Sequence, residues 1–579
     1  MTRLFSTLCI ALALLCSVYS IEGAVYIVTK TADTNDGVCG DADCSLREAI
    51  AGSNTTPDND IVIFALPFFS SPQTITLSGT ELVAMNNGTL TVAGPGAYRL
   101  TISGNNASRI IRGVATANVT LSGMRLTAGN GVSTVNNNSG GAILNEGTMT
   151  LLDLIVANNG TSTNAGGIRN SGTGSVMTIN RCVIANNTAA TSSAGGIQNF
   201  STSTLTVLNS TFTGNVSGGG TVGGGAMQAN GTVSITNSTF SGNMSNTTGG
   251  GGAINSNGSL LLLTNVTITG NSSNGNGGGL HRGTTNPNGF IRNSIISGNS
   301  GASASTDVTN SAGGLVSQGN NIIGAVGTST GWIMSDQQNV DPLLAPLGFY
   351  GGFGMTHLPL SGSPAINMGQ NCVVDQTCSA NNPPSAVTTD ERGVARPFGA
   401  SVDVGAVEAS GDYFALLPSA GAGVPYSFTL VPSNNGFTYL LNSGSFGGIT
   451  LMSGPTATTV VGTAPSPGIF NGLVQIVGAP GQAFQNYRIN VLSDPNLVYM
   501  TGRVVTASGI PISKASVDLI GFDGRTYSGL TNPFGYFRIE GIPSGLNGSL
   551  RVSRKGYDFG VVAIAVTDVI ENVEIRAAN

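Results

Sequence analysis

The chain has 579 residues, a formal net charge of −6 and only 9% charged residues, against 85 glycines and 40% hydrophobic residues. That length exceeds one ordinary core and implies several domains, and the apolar fraction argues for burial where the glycine content alone would suggest disorder. Lys30, Lys514 and Lys555 are the only lysines, and the absence of any basic run argues against nucleic acid and anionic membranes as partners.

Residues 1–23 place one arginine before an apolar run from Leu4 to Leu15, with small residues after it. This is the pattern of a secretory signal peptide, too short to span a bilayer stably, and no other apolar run reaches spanning length. The mature chain is expected to be secreted or held at the outer cell surface, without a membrane span. Removing the leader leaves five cysteines. Two close pairs suit an oxidising compartment, so Cys39–Cys44 and Cys372–Cys378 are expected as local disulfides, with Cys182 free and inert. Metal binding is the rival reading, but neither pair has a nearby histidine or the spacing of a zinc site.

Residues 24–62 read as an N-terminal cap. Within CGDADCSLREAI (39–50), Ser45 and Glu48 form a capping box, and Leu46, Ala49 and Ile50 fall on one helical face. A short amphipathic helix is predicted here, covering the first coil of a solenoid. Asp33, Asn35, Asp36, Asp41 and Asp43 supply an oxygen-rich loop and are the candidate Ca²⁺ ligands, although the glycine and glutamate of an EF-hand loop are missing. No other cofactor is expected.

Residues 63–315 are repetitive. MTINRCVIANN (177–187), LTVLNSTFTGN (205–215), VSITNSTFSGN (233–243), LLLTNVTITGN (261–271) and GFIRNSIISGN (289–299) recur about every 28 residues. Asn180, Asn209, Asn237, Asn265 and Asn293 mark one internal position, and Asn186, Asn215, Asn243, Asn271 and Asn299 a closing one. Gly-Gly-apolar triplets such as Gly195-Gly196-Ile197 lie between them. Short stretches rich in Val, Ile, Thr and Phe between Gly/Asn turns are strand chemistry. A unit that cannot bury its own apolar face must stack on copies of itself, which predicts a parallel β-helix with strands ~4.8 Å apart. Val183, Phe212, Phe240, Ile268 and Ile296 are expected to form one internal stack, the first asparagine set an amide ladder, and Cys182 to align with Thr211, Thr239, Thr267 and Ile295. A β-propeller is the alternative, but its blades are longer.

Catalytic chemistry is sparse on this solenoid. Glu146 and Asp153 are the only carboxylates between Arg112 and Thr306. Polysaccharide cleavage calls for clustered carboxylates or a positioned base. His281 and His357 lie in no zinc-peptidase pattern, and Gly327-Thr328-Ser329-Thr330-Gly331 lacks the strand–turn–helix context of a nucleophile elbow.

Residues 316–410 carry prolines, aromatics and returning charge (Asp390, Glu391, Arg392, Arg396, Asp403, Glu408) and read as the solenoid's C-terminal cap with an internal ion-pair network. The motifs VTKTADTNDGVCGDADCSLREAI (28–50), GPGAYRLTISGNN (94–106), DPLLAPL (341–347), GSPAINMG (362–369) and DERGVARP…VDVGAVE (390–408) resemble bacterial surface proteins with a CSLREA N-terminal region and a choice-of-anchor Q region. The resemblance implies a right-handed, pectin-lyase-like parallel β-helix and an exported bacterial protein, without an established reaction.

Residues 412–494 alternate apolar and polar positions between Pro/Gly turns and predict an Ig-like β-sandwich, similar to the putative-Ig domains of bacterial surface proteins. In residues 497–579, Gly502-Arg503-Val504, Gly509-Ile510-Pro511, Thr531-Asn532-Pro533-Phe534-Gly535-Tyr536-Phe537 and Ile542-Pro543-Ser544-Gly545 resemble the carboxypeptidase regulatory-like domain. That is a prealbumin-like sandwich that implies no peptidase activity. The fold expected is therefore all-β, a solenoid followed by two sandwiches. The function expected is a non-catalytic modular surface protein binding a glycan or a surface protein. A polysaccharide lyase or hydrolase and a self-assembling surface component are the alternatives.

Overall fold

The computed structural model describes residues 23–578 apart from 38, 41–42, 67, 86–87, 192, 303–306, 411–412, 479–480 and 523, so the proposed leader lies outside the described residues. Parallel strands stack coil on coil into a β-solenoid of about nine turns. One wall comprises Thr204–Leu208, Thr232–Ser241 and Leu260–Thr269 with their neighbours, a second runs from Leu82–Ala84 to Val308–Asn310, and a third from Gly160–Thr161 to Ser272–Ser273. Alternation sets the interior: Val207, Ile235, Leu263 and Ile291 stack in register and are buried, while Thr206 and Ser234 face outward. Phe212 and Phe240 lie face to face, 4.4 Å between ring centroids.

The 28-residue step is stricter than the asparagine pattern suggests. Phe212 pairs with Ile184, so Val183 lies outside the expected stack and is only half-buried. Asn180 pairs with Leu208 and lies one residue before the corner. The corner itself is left-handed (φ +46° to +53°) and is taken by Asp153, Arg181, Asn209, Asn237, Asn265 and Asn293. A non-glycine residue with positive φ is uncommon, and asparagine tolerates it best, which is why asparagine marks the position in most coils. In one coil arginine occupies it, and the adjacent Asn180, one residue out of backbone register, still accepts from the Asn209 amide at 3.0 Å. The closing ladder likewise runs through Asn187, not Asn186. Cys182 aligns with Ser210 and not with Thr211; its backbone N–H donates to the Ser210 hydroxyl at 3.0 Å.

At the N-terminus, Val25–Val28 pairs in parallel with Asp60–Phe64, and the helix Leu46–Ser53 packs Leu46, Ala49 and Ile50 into the solenoid core. Ser45 accepts from Glu48 N–H and Glu48 accepts from Ser45 N–H, a complete capping box. At the other end Leu315, Val326 and Trp332 close the core.

The expected C-terminal cap does more than close the end. Residues 341–408 fold back along the outer face of the wall. Phe353, like Val183, packs against the apolar cluster of Ala97, Ile155, Ala157 and Ala185, Asn237 donates to Thr389 O, and Asn293 donates to Gln370 O. The expected amide ladder forms in part, Asn209 donating to Asn180 Oδ1 at 3.0 Å, Asn237 to Asn209 Oδ1 at 3.3 Å and Asn293 to Asn265 Oδ1 at 3.4 Å, and this segment covers much of it.

The next domain packs a five-stranded sheet containing Thr438–Gly444, Gly468–Gly478 and Gly481–Leu492 on a three-stranded one, Pro425–Val431, Thr458–Thr463 and Ile449–Ser453. Its core includes Tyr350 and Leu360, so it is continuous with the folded-back segment. The last domain packs Tyr536–Pro543, Leu497–Val505 and Ile570–Arg576 against Thr526–Leu530, Ser516–Gly521, Leu546–Ser553 and Val562–Val566. It returns to the start of the solenoid: Asn547 donates to Ala93 O (3.2 Å) and Gly94 O (3.1 Å), and Leu66 packs against both cores. Among the described residues no helix is long and apolar enough to cross a membrane.

Candidate functional site

The acidic N-terminal loop is occupied by the protein's own groups. Arg47 binds Asp33 through two bonds of 2.8 Å, and Ser78 donates to the same carboxylate from N–H and hydroxyl. Asp43 pairs with Lys30 instead. Burial raises the Glu48 carboxyl, but donors including Ser45 N–H, Asp36 N–H and the Ser45 and Thr34 hydroxyls outweigh it and hold it at about 2. Asp33 and Asp43 are thus engaged by separate cations, and Asp41 lies outside the described residues. Among the described residues no group of three or more His, Cys, Asp or Glu is placed to hold a metal ion. The Cys39–Cys44 and Cys372–Cys378 bridges are formed.

On the solenoid, Glu146 and Asp153 each meet an arginine: Glu146 pairs with Arg112 at 2.7 Å, and Asp153 with Arg181 at 2.8 Å. The Ser329 hydroxyl donates to Val326 O and accepts from Trp332 Nε1, without a neighbouring base. Cys182 is free and buried, and burial pushes its thiol up to about 12. His357 bridges Ala345 O (2.8 Å) and Ser241 Oγ (2.9 Å); because a carbonyl only accepts, Nδ1 carries the proton. Burial lowers this imidazole to about 4.

The 390–408 charges form the expected network at the seam between wall and folded-back segment. Arg392 pairs with Asp390 and Arg396 with Glu408, and all four side chains are buried. Glu391 alone turns to the wall, where the hydroxyls of Thr211 and Thr239, with that of Thr356 from its own segment, surround its carboxyl. Burial drives it up to about 8. This group is sealed from solvent, so its chemistry is adhesion of one segment to another.

Exposed chemistry gathers elsewhere, on the last sandwich. Lys514, Arg554, Lys555 and Tyr557 line an open cleft of about 580 Å³ with Phe559 and Asp558. No basic patch is visible in the sequence because the cations come from two separated loops. The signal available was the scarcity of lysine: two of the three lie here.

The fold and these surfaces define an all-β chain in which a β-solenoid carries appended sheet domains. Within it, residues 500–577 match the carboxypeptidase regulatory-like domain family. Comparison with curated proteins found no match. Solved structures with local similarity include the Bacillus anthracis TIE protein (13% identity over 28% of this chain and 39% of that one, TM-score 0.13). Others are an endo-fucoidan hydrolase of glycoside hydrolase family 107 (14%, 28% and 33%, TM-score 0.13) and BcpA, the major pilin subunit of Bacillus cereus (6%, 26% and 56%, TM-score 0.12). The chain spans between a third and somewhat over half of these structures, and scores of this size carry no functional argument.

Proposed function

We propose that this is an exported, non-catalytic surface protein. The solenoid is its rigid body, and the appended sandwiches supply the surface that meets a glycan or another surface protein. Two intact disulfides and a regulatory-like domain fit an extracellular modular protein. The observation that carries the reading is the engagement of the solenoid's candidate catalytic groups. Glu146 and Asp153 are each paired to an arginine, and Glu391 and His357 are buried under the folded-back segment. A panel of neutral and acidic polysaccharides tests it. Saturable binding without new reducing ends or unsaturated products is expected. Cleavage that is lost in Glu146→Gln or Asp153→Asn would overturn it in favour of a polysaccharide-active enzyme.

A further inference from the structure

Many cations of this acidic chain are held by carboxylates: Arg47 by Asp33, Arg109 by Glu81, Arg396 by Glu408, Arg488 by Glu571. Lys514, Arg554 and Lys555 are not among them and lie together. They are exposed, and among the described residues no carboxylate pairs with any of them. Lys514 precedes the strand Ser516–Gly521, and Arg554 and Lys555 follow Leu546–Ser553, its neighbour in the sheet. The strand pairing therefore forces three positive charges to one end of the sheet, and Arg554 donates to Lys514 O at 3.3 Å, tying the two loops together. Like charges brought together without a counterion repel, so the arrangement costs stability. Lys514 also holds a left-handed backbone, φ +55°, where most such non-glycine residues of this chain are asparagine. Beside the cations, Tyr557 is 40% exposed and its ring lies 6.3 Å from that of Phe559. The cleft contains one acid, Asp558.

We propose that this cleft binds an anionic glycan, a polysaccharide bearing carboxylate or sulfate groups. The ammonium and guanidinium groups pair with the oxyanions, and the exposed tyrosine face packs against a sugar ring. The inference rests on the glycan-binding reading above and names its ligand class and its site. Clustered cations beside an exposed tyrosine ring match a polymer that carries both oxyanions and sugar faces, which selects this occupant.

The full chain is titrated calorimetrically with polygalacturonate, dextran sulfate, neutral dextran and a single-stranded DNA oligonucleotide. Binding is expected to at least one of the two anionic glycans, identifying carboxylate or sulfate as the anion, and not to dextran. Lys514→Ser with Lys555→Ser should weaken it at least about tenfold. Tyr557→Ala should weaken it too, and Asp558→Asn should tighten it. All four positions are exposed, and an unchanged melting temperature verifies the fold. Anionic glycan binding that survives these substitutions, or binding to dextran alone, removes the cleft and leaves the broader reading intact. DNA binding as tight as glycan binding overturns the assignment as charge alone, and no glycan binding at all overturns both the cleft and the glycan reading it rests on, leaving a protein as the ligand.

Discussion

The Asn215 side-chain amide donates to Asn243 Oδ1 at 2.9 Å, and the Asn215 backbone N–H donates to the same oxygen at 3.1 Å. The same pair of bonds recurs from Asn159 through Asn187 to Asn299, and there the ladder ends on Asp307, which accepts from both nitrogens of Asn299 at 2.8 Å. Asparagine is required inside the ladder because each member must both donate and accept; at the end only acceptance remains, and a carboxylate suffices. Asn243→Ala leaves two donors of Asn215 and Phe212 O without partners in a buried site. Unsatisfied buried groups cost about 1–3 kcal/mol each, so a clear drop in the urea midpoint is expected. Asn243→Asp should destabilise as well, since a carboxylate cannot donate to Phe212 O or Asn271 Oδ1, despite its presence at the end of the ladder.

The Glu391 carboxyl gives a pH dependence with a definite sign. Burial, with the neighbouring Asp390 charge adding, raises it from 4.5 to about 8 against the lowering effect of the threonine hydroxyls. Between these values the folded protein holds a proton that the unfolded chain has released, so stability falls as pH rises through this window. Glu391→Gln keeps the neutral form and should remove this part of the slope. Denaturant midpoints at about pH 5 and about pH 8.5 check it, and the variant is expected to gain over wild type only at the higher pH. His357, lowered to about 4, acts oppositely: its contribution is lost as pH falls from 6.5 toward that value.

The repeat step, the strand chemistry and the capping box were legible because each is local. A corner with positive φ selects asparagine, a pleated wall selects alternation, and Ser45 and Glu48 are three residues apart. The register error at Asn180 and Val183 has the same origin. Residue type imitates the corner, but only backbone conformation defines it, and Arg181 holds the φ +49° position. The fold-back of residues 341–408 was not legible. Its contacts, such as Thr211 with Glu391, span 180 residues, and nothing in either segment names the other. The basic cleft was hidden for the same reason.

Cys182 tests how tightly the solenoid interior is sealed. Its sulfur donates to Asn180 O and has no exposed surface, and burial holds the thiol at about 12. Thiolate is the reacting form, so in the chain produced without residues 1–23 iodoacetamide should leave the native protein unlabelled at neutral pH and modify one cysteine once it is unfolded without reductant. Stoichiometric native labelling, read by intact mass, would show that the coil opens at Cys182.

The return of the last sandwich to the solenoid's first coils rests on a close approach that glycine permits. Gly545 has φ +95°, and a Cβ there would lie 2.7 Å from Pro95 Cβ. Gly509 has a similar φ, +85°, with nothing within 4 Å of such an atom. Both Gly→Ala changes carry the left-handed backbone cost, about 1–2 kcal/mol, but only Gly545→Ala also forces the two bodies apart. Asn547→Ala removes the bonds to Ala93 O and Gly94 O without backbone strain. Small-angle scattering should therefore show a larger radius of gyration for Gly545→Ala combined with Asn547→Ala, and none for Gly509→Ala. Unchanged scattering in the double variant would mean that the ties to the middle sandwich, Arg488–Glu571 at 2.7 Å and Ser419 N–H to Asp568 at 2.9 Å, hold the domain in place by themselves.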